Sequence, residues 1–197
     1  NINSSVEVIK KILYILSKKN IDASSKLEFY KGDIRDKLFL NNIFAESLRQ
    51  GAGIDGVIHF AGLKSVKDSC LDPINYWNVN VTGSINLIEV MNKYNCRKLI
   101  FSSTASIYGN SKEIPFKESC LPKPLNPYTN TKLVVETFLN DLHKNYDDNW
   151  NIICLRYFNP IGAHHTGILG EEPKGMPNNI FPLILRSIAQ KSKFYIF

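Results

Sequence analysis

The sequence predicts an α/β fold built around a parallel sheet, on three observations. Short runs rich in β-branched and aromatic residues alternate along the chain with stretches whose apolar residues recur at helical spacing. Such alternation favours parallel pairing, because a helical crossover returns each strand to the same end of the sheet. Four of the strand-like runs also end in polar clusters, and sheets of this kind bind ligands just beyond the carboxyl ends of their strands.

In chain order, residues 5–19 place Val6, Ile9, Ile12, Leu13 and Leu16 at helical spacing. Residues 27–31 read as a first strand, closed by Gly32-Asp33-Ile34. A helix over 36–50 follows, carried by Leu38, Leu40, Ile43, Phe44 and Leu48. Residues 56–61 form the second strand, closed by Phe60-Ala61-Gly62-Leu63-Lys64, and a long helix is expected over 73–94. The third strand, 98–103, ends in Ser102-Ser103-Thr104. A helix over 131–146 carries Val134, Val135, Phe138, Leu139, Leu142 and Tyr146, and the fourth strand, 151–157, runs into Tyr157-Phe158-Asn159-Pro160. Residues 159–177 are a long irregular loop of the kind that tends to be functional, and 193–197 read as a fifth strand. Singly, Asp33 reads as a helix N-cap and Gly62 as a turn glycine. Polar groups at four successive strand ends point instead to a common ligand.

At 197 residues, 44% of them hydrophobic, the chain suits one domain with a real core. No apolar run approaches the ~20 residues of a membrane span. The net charge of +6 comes from scattered lysines such as Lys10, Lys18, Lys64 and Lys191, without an aromatic-interleaved patch, so a solvated surface or an anionic small molecule is expected rather than nucleic acid. Cys70, Cys96, Cys120 and Cys154 lack metal-ligand spacing and read as reduced thiols of a cytoplasmic protein, with no metal site.

The chemistry concentrates in Tyr128 and Lys132, four residues apart and so on one helical face. Bringing a phenol of pKa about 10 to neutrality needs roughly 4 kcal/mol. An ammonium about 4 Å away supplies roughly that at an effective dielectric of about 20. The pair reads as a tyrosine base and its activating lysine, and Thr104, at the end of the third strand, as a hydroxyl able to hand over a proton. Taken alone, the pair reads rather as a surface tyrosine beside a solvated lysine.

With this triad the chain resembles the extended short-chain dehydrogenase/reductase family and, within it, the UDP-glucose 4-epimerases. The likeness rests on the runs 57–66, 80–83, 101–109, 155–164 and 175–179, in order and with similar spacing. It implies a Rossmann-like doubly wound parallel sheet that binds NAD. It implies Tyr128 as base, Lys132 lowering its pKa and holding the nicotinamide ribose, and Thr104 bonding the sugar 4-hydroxyl. It assigns Asp33 and Ile34 to the adenine end of NAD, Phe60, Ala61, Gly62, Leu63, Lys64 and Asn80 to its middle, Ser102 to the same cofactor, and Tyr157 and Phe158 to the nicotinamide pocket. Lys64, Ser65, Val66, Asn159, Asn179, Ile180, Tyr195, Ile196 and Phe197 would meet the UDP-sugar. The implied reaction interconverts UDP-glucose and UDP-galactose through a 4-keto sugar. For the aromatic members the plain alternative is core packing.

The likeness further implies a partial NAD-binding domain over 1–158, the start of a substrate-binding region over 159–197, and a homodimer through helices 73–94 and 128–146. The Gly-x-x-Gly-x-x-Gly turn that opens such folds is not in the sequence, and Phe197 matches a point from which the family continues. The expectation is a fragment of a longer enzyme, its sheet truncated at both ends and inactive alone. A 4,6-dehydratase would need an acid pair where Ala105 and Ser106 follow Thr104. A non-catalytic NAD- or nucleotide-sugar-binding regulator is the rival from another class.

Overall fold

The computed structural model describes residues 5–23, 26–145, 150–171 and 179–194. Its helices are α1 (Glu7–Ser17), α2 (Lys37–Arg49), α3 (Val66–Leu71), α4 (Pro73–Trp77), α5 (Gly83–Lys93), α6 (Pro127–Asn145) and α7 (Ile180–Ala189). A π-helical segment, Asn78–Thr82, joins α4 to α5, and a 3-10 turn, Ala105–Tyr108, follows the second strand. The strands are β1 (Val57–His59), β2 (Lys98–Thr104) and β3 (Asn151–Tyr157). They form one parallel sheet in the order β1-β2-β3, with His59 opposite Phe101 and Thr104 opposite Tyr157.

The chain divides into two compact units, one of residues 31–158 and one of residues 1–30 with 159–197. In the first, alternation along the strands sends Leu99, Phe101 and Ser103 to one face of β2, where they are buried, and the opposite parity in β1 and β3 leaves Ile58, Ile153 and Leu155 exposed. The covered face meets α5 and α6, and the core there includes Phe44, Leu87, Met91, Phe101, Leu139 and Trp150. At about 25 cal/mol per Å², each such side chain contributes about 1.5–3 kcal/mol. In the second unit, α1 buries Ile15 and α7 buries Pro182.

Local signals fix the helix ends. The Asp36 carboxylate accepts from the Phe39 N–H at 2.9 Å and starts α2. Asp72 caps α4 ahead of Pro73, whose missing N–H is an orphan at that position anyway. At α6, Asn126 Oδ1 accepts from the Thr129 N–H at 3.0 Å and Thr129 Oγ1 accepts from the Asn126 N–H at 3.3 Å, a reciprocal cap before Pro127. This cap starts α6 at 127, ahead of the 131 expected from apolar spacing.

Several expectations are corrected. Residues 27–31 form no strand, because no strand among the described residues lies beside them to take their ladder bonds. Residues 193 and 194 are likewise outside any strand, and 195–197 lie outside the described residues, as does Tyr146. The single helix expected over 73–94 is two α-helices joined by a π turn. Its apolar residues Leu87, Ile88, Val90 and Met91 are buried within the chain's own core, so they form no external face.

Candidate active site

The carboxyl ends of β1 and β2 and the head of α6 converge. β2 delivers Thr104, whose Oγ1 accepts the Ser106 N–H at 3.2 Å and caps the 3-10 turn. The Thr104 hydroxyl lies close enough to the Tyr128 phenol to act on its titration. Burial raises the phenol above its ordinary value of 10.0, and the Thr104 hydroxyl opposes that by favouring the phenolate. Lys132 is buried, donates to the Ser102 carbonyl at 2.8 Å, and stands 4.8 Å from the centre of the Phe101 ring. Burial lowers its amine from 10.5 to about 8. Burial first and Thr104 second therefore govern Tyr128 here, and one N–H of Lys132 goes to the Ser102 carbonyl.

Around Lys132 lies a set of buried polar groups. A Cβ added at Gly62 would stand 3.1 Å from Asn80 Oδ1 and 3.6 Å from Lys132 Nζ, so the bare glycine lets the loop after β1 close on the Asn80 amide beside that amine. Asn80 Oδ1 accepts the Leu63 N–H at 2.8 Å, and its Nδ2 donates to Leu63 O and to Thr131 Oγ1, both at 3.0 Å. Ser84 Oγ donates to Asn80 O. Its proton thus committed, Ser84 Oγ receives the Nε2–H of His59 at 2.9 Å. Burial first, and Lys132 second, push His59 down to about 4, which keeps the ring neutral.

The remaining expected residues sort by place. The Asp33 carboxylate takes Arg35 Nε at 3.0 Å and a second guanidinium nitrogen at 2.7 Å, a pairing that lowers it to about 2. Ile34 packs over Gly83, where a Cβ would come within 2.6 Å of it. Phe60 and Tyr157 stack with ring centres 6.5 Å apart, bridging the ends of β1 and β3. Phe158 stacks instead on Phe116 at 6.1 Å and is mostly exposed, so neither it nor Phe60 is core packing. Ala61 and Lys64 are exposed, Ser65 caps α3 by accepting the Asp68 N–H at 3.2 Å, and Val66 is exposed. Asn159, Asn179 and Ile180 belong to the other unit, where Asn179 Nδ2 donates to Glu171 at 2.9 Å. Tyr195, Ile196 and Phe197 lie outside the described residues, as do 175–178 of the Gly-Met-Pro-Asn-Asn run.

Sequence reading missed His59, Ser84 and Thr131, and also the network in which Glu136 receives Ser103 Oγ and a two-pronged Arg156. Their long-range partners lie 20 to 51 residues away, and no spacing rule reaches across that gap. Among the described residues no cluster of His, Cys, Asp and Glu could hold a metal, and no helix is long and apolar enough to cross a membrane.

This fold defines a Rossmann-like α/β protein. The chain belongs to the NAD dependent epimerase/dehydratase family, whose profile matches residues 10–197. It is 45% identical over 184 residues to UDP-glucose 4-epimerase 2 of Oryza sativa subsp. japonica, which takes in 93% of this chain and 43% of that protein. It is 42% identical to the UDP-glucose 4-epimerase of Neisseria meningitidis serogroup C, over 96% of this chain and 52% of the relative. The crystal structure of UDP-glucose 4-epimerase from Bifidobacterium longum, solved in complex with NAD+ and UDP, superposes with a TM-score of 0.83 at 40% identity, over 98% of this chain and 54% of that one. The chain thus spans about half the length of the relatives it matches.

Proposed function

We propose that the whole protein epimerises a UDP-hexose at C4, interconverting UDP-glucose and UDP-galactose with NAD as cofactor. The carrying observation is that Thr104, at the end of β2, lies near enough to the Tyr128 phenol to favour its phenolate, with the buried Lys132 one helical turn along. The residues present suit NAD: the Gly62 approach, the Lys132 amine and the exposed Phe60 ring line one strand-end region. Lys132 would hold the nicotinamide ribose, with Ser102 beside it. The loop from Phe60 to Lys64 with Asn80 would take the middle of the cofactor, Asp33 and Ile34 its adenine end, and Tyr157 and Phe158 the nicotinamide side. Bound there, NAD supplies a hydride acceptor and donor.

The chain's own work is proton transfer and orientation. In this reading the deprotonated Tyr128 accepts the sugar 4-hydroxyl proton through Thr104, which favours the phenolate against the larger, opposite effect of burial. Lys64, Ser65, Val66, Asn159, Asn179, Ile180 and residues 195–197 are the substrate-side assignments. Residues 1–158 then form the cofactor-binding part and 159–197 the start of the sugar-binding part. No carboxylic acid occupies the turn Ala105–Tyr108, which disfavours dehydration.

A homodimer through the elements of 73–94 and 128–146 is part of the same reading. Exposed Trp77 and Val134 on those elements support it, and free thiols suit a cytoplasmic setting. The test is to follow UDP-glucose and UDP-galactose with the purified whole protein. Interconversion without net change in NADH is expected, whereas loss of water from the sugar, or NAD binding without turnover, would overturn the proposal.

A further inference from the structure

The proposed chemistry gives no task to Thr131, yet this residue is fully buried and its one hydroxyl serves two partners. It donates to Tyr128 O at 2.7 Å, and it accepts from Asn80 Nδ2 at 3.0 Å. The same Asn80 amide grips both the N–H and the C=O of Leu63, which fixes the amide's orientation, since only Oδ1 can accept the Leu63 N–H. Asn80 sits in the π turn, where the Gly83 N–H reaches back to Asn78 O, and its own carbonyl takes the Ser84 hydroxyl. One connected set of hydrogen bonds therefore runs from His59 on β1, through Ser84 and Asn80, to Thr131 on α6, with the loop after β1 hung from its middle.

We infer that Thr131 is a positioning residue: acting through Asn80, its hydroxyl fixes the loop of residues 61–64 in register with Tyr128 and Lys132. The inference deepens the cofactor reading above and rests on it. The geometry makes register consequential, because a Cβ at Gly62 would already stand tight against Asn80 Oδ1, at 3.1 Å, and in contact with Lys132 Nζ, at 3.6 Å, so a loop that slides moves relative to the group that would hold the cofactor. If Thr131 merely filled space, an isosteric apolar side chain would serve as well. A hydroxyl that relays between a helix carbonyl and an amide cannot be replaced so.

The experiment compares Thr131→Val with Thr131→Ser in the whole protein, reading the NAD dissociation constant, kcat and KM, and the exchange of the Leu63 amide. Valine keeps the shape and removes the hydroxyl, whereas serine keeps the hydroxyl and removes the methyl. The Val variant is expected to bind NAD at least tenfold more weakly, and to regain most of its kcat when NAD is raised to saturation. Its Leu63 amide should exchange at least tenfold faster while the β2 amides stay as slow as before. The Ser variant should lie within about threefold of the wild type in each readout. Wild-type NAD affinity in the Val variant overturns the inference, and so does a Ser variant as impaired as the Val one, since the methyl would then be the operative group. Should the Val variant fail to fold, the wild type alone decides. A Leu63 amide that exchanges together with the first turn of α6 upholds the tether, and one that exchanges like an open loop removes it. A wild type that holds Leu63 but binds no NAD overturns the cofactor role and leaves the fault with the functional reading.

Discussion

At the scale of single residues, burial decides most of what the site can do. Tyr128→Phe in the whole protein removes the proposed proton acceptor and leaves the ring, so NAD should be retained while turnover falls about 10²–10⁴-fold; near-normal turnover would remove Tyr128 from that role. Lys132 gives a pH-dependent prediction. Its folded pKa of about 8 lies below the ordinary 10.5. Below about 8 both folded and unfolded chains hold the proton, and the full cost of burying the charge is present. Between about 8 and 10.5 only the unfolded chain holds it, so stability rises with pH through that window. The span is worth roughly 3 kcal/mol. Lys132→Met, which keeps the stem and drops the amine, should match or exceed the wild type in melting temperature at pH 7, lack the rise above pH 8, and lose turnover. A Met variant that melts well below the wild type at pH 7 would show that the bond to the Ser102 carbonyl outweighs desolvation.

At the scale of elements, α6 is held to the sheet by charge as well as by Val135 and Leu139. Glu136 accepts from Arg156 at 2.8 Å and from Ser103, and Arg156 continues to the Tyr108 hydroxyl at 2.7 Å. Removing one partner strands the other in a poorly solvated place. Glu136→Leu should therefore cost about 3–5 kcal/mol, while the double change with Arg156→Met costs less than the sum of the two singles; denaturant melts of the four proteins would show additivity if the pair were uncoupled. The turn after Ala105–Tyr108 has its own constraint. Gly109 holds φ of 57°, and a Cβ there would fall 2.1 Å from the Lys123 carbonyl. Gly109→Ala should destabilise by more than about 2 kcal/mol, from strain plus a backbone clash, as read by a thermal melt. Elements of this kind differ in how far sequence reveals them. β3 is legible to the residue because its short apolar, β-branched and aromatic run and its polar boundaries agree. The start of α6 is not, since Asn126, Pro127 and Thr129 cap it by chemistry that apolar spacing does not register.

At the scale of the molecule, the α/β class and the parallel order follow from alternation alone, and the triad positions follow from strand ends and helical spacing. What stayed illegible is long-range: whether 27–31 finds a strand to pair with, and which buried polar groups meet across the chain. The sheet has one face under α5 and α6, while Ile58, Ile153 and Leu155 on the other are exposed. The 197-residue chain by itself should accordingly bind a hydrophobic dye such as ANS and self-associate as concentration rises, and Ile153→Thr with Leu155→Thr should weaken both; dye binding unchanged by the pair would place the sticky surface elsewhere. The π turn at Asn78–Thr82 carries a last consequence. It accommodates one residue more than an α-helical turn, and excising that residue would swing everything downstream about 100° around the axis. Leu87 and Met91 would leave the core they share with Phe101, and Ser84 would turn away from His59. The irregularity is thus locked in from two sides, by an oily contact and by a polar one, and a shortened chain could satisfy neither without rebuilding the other.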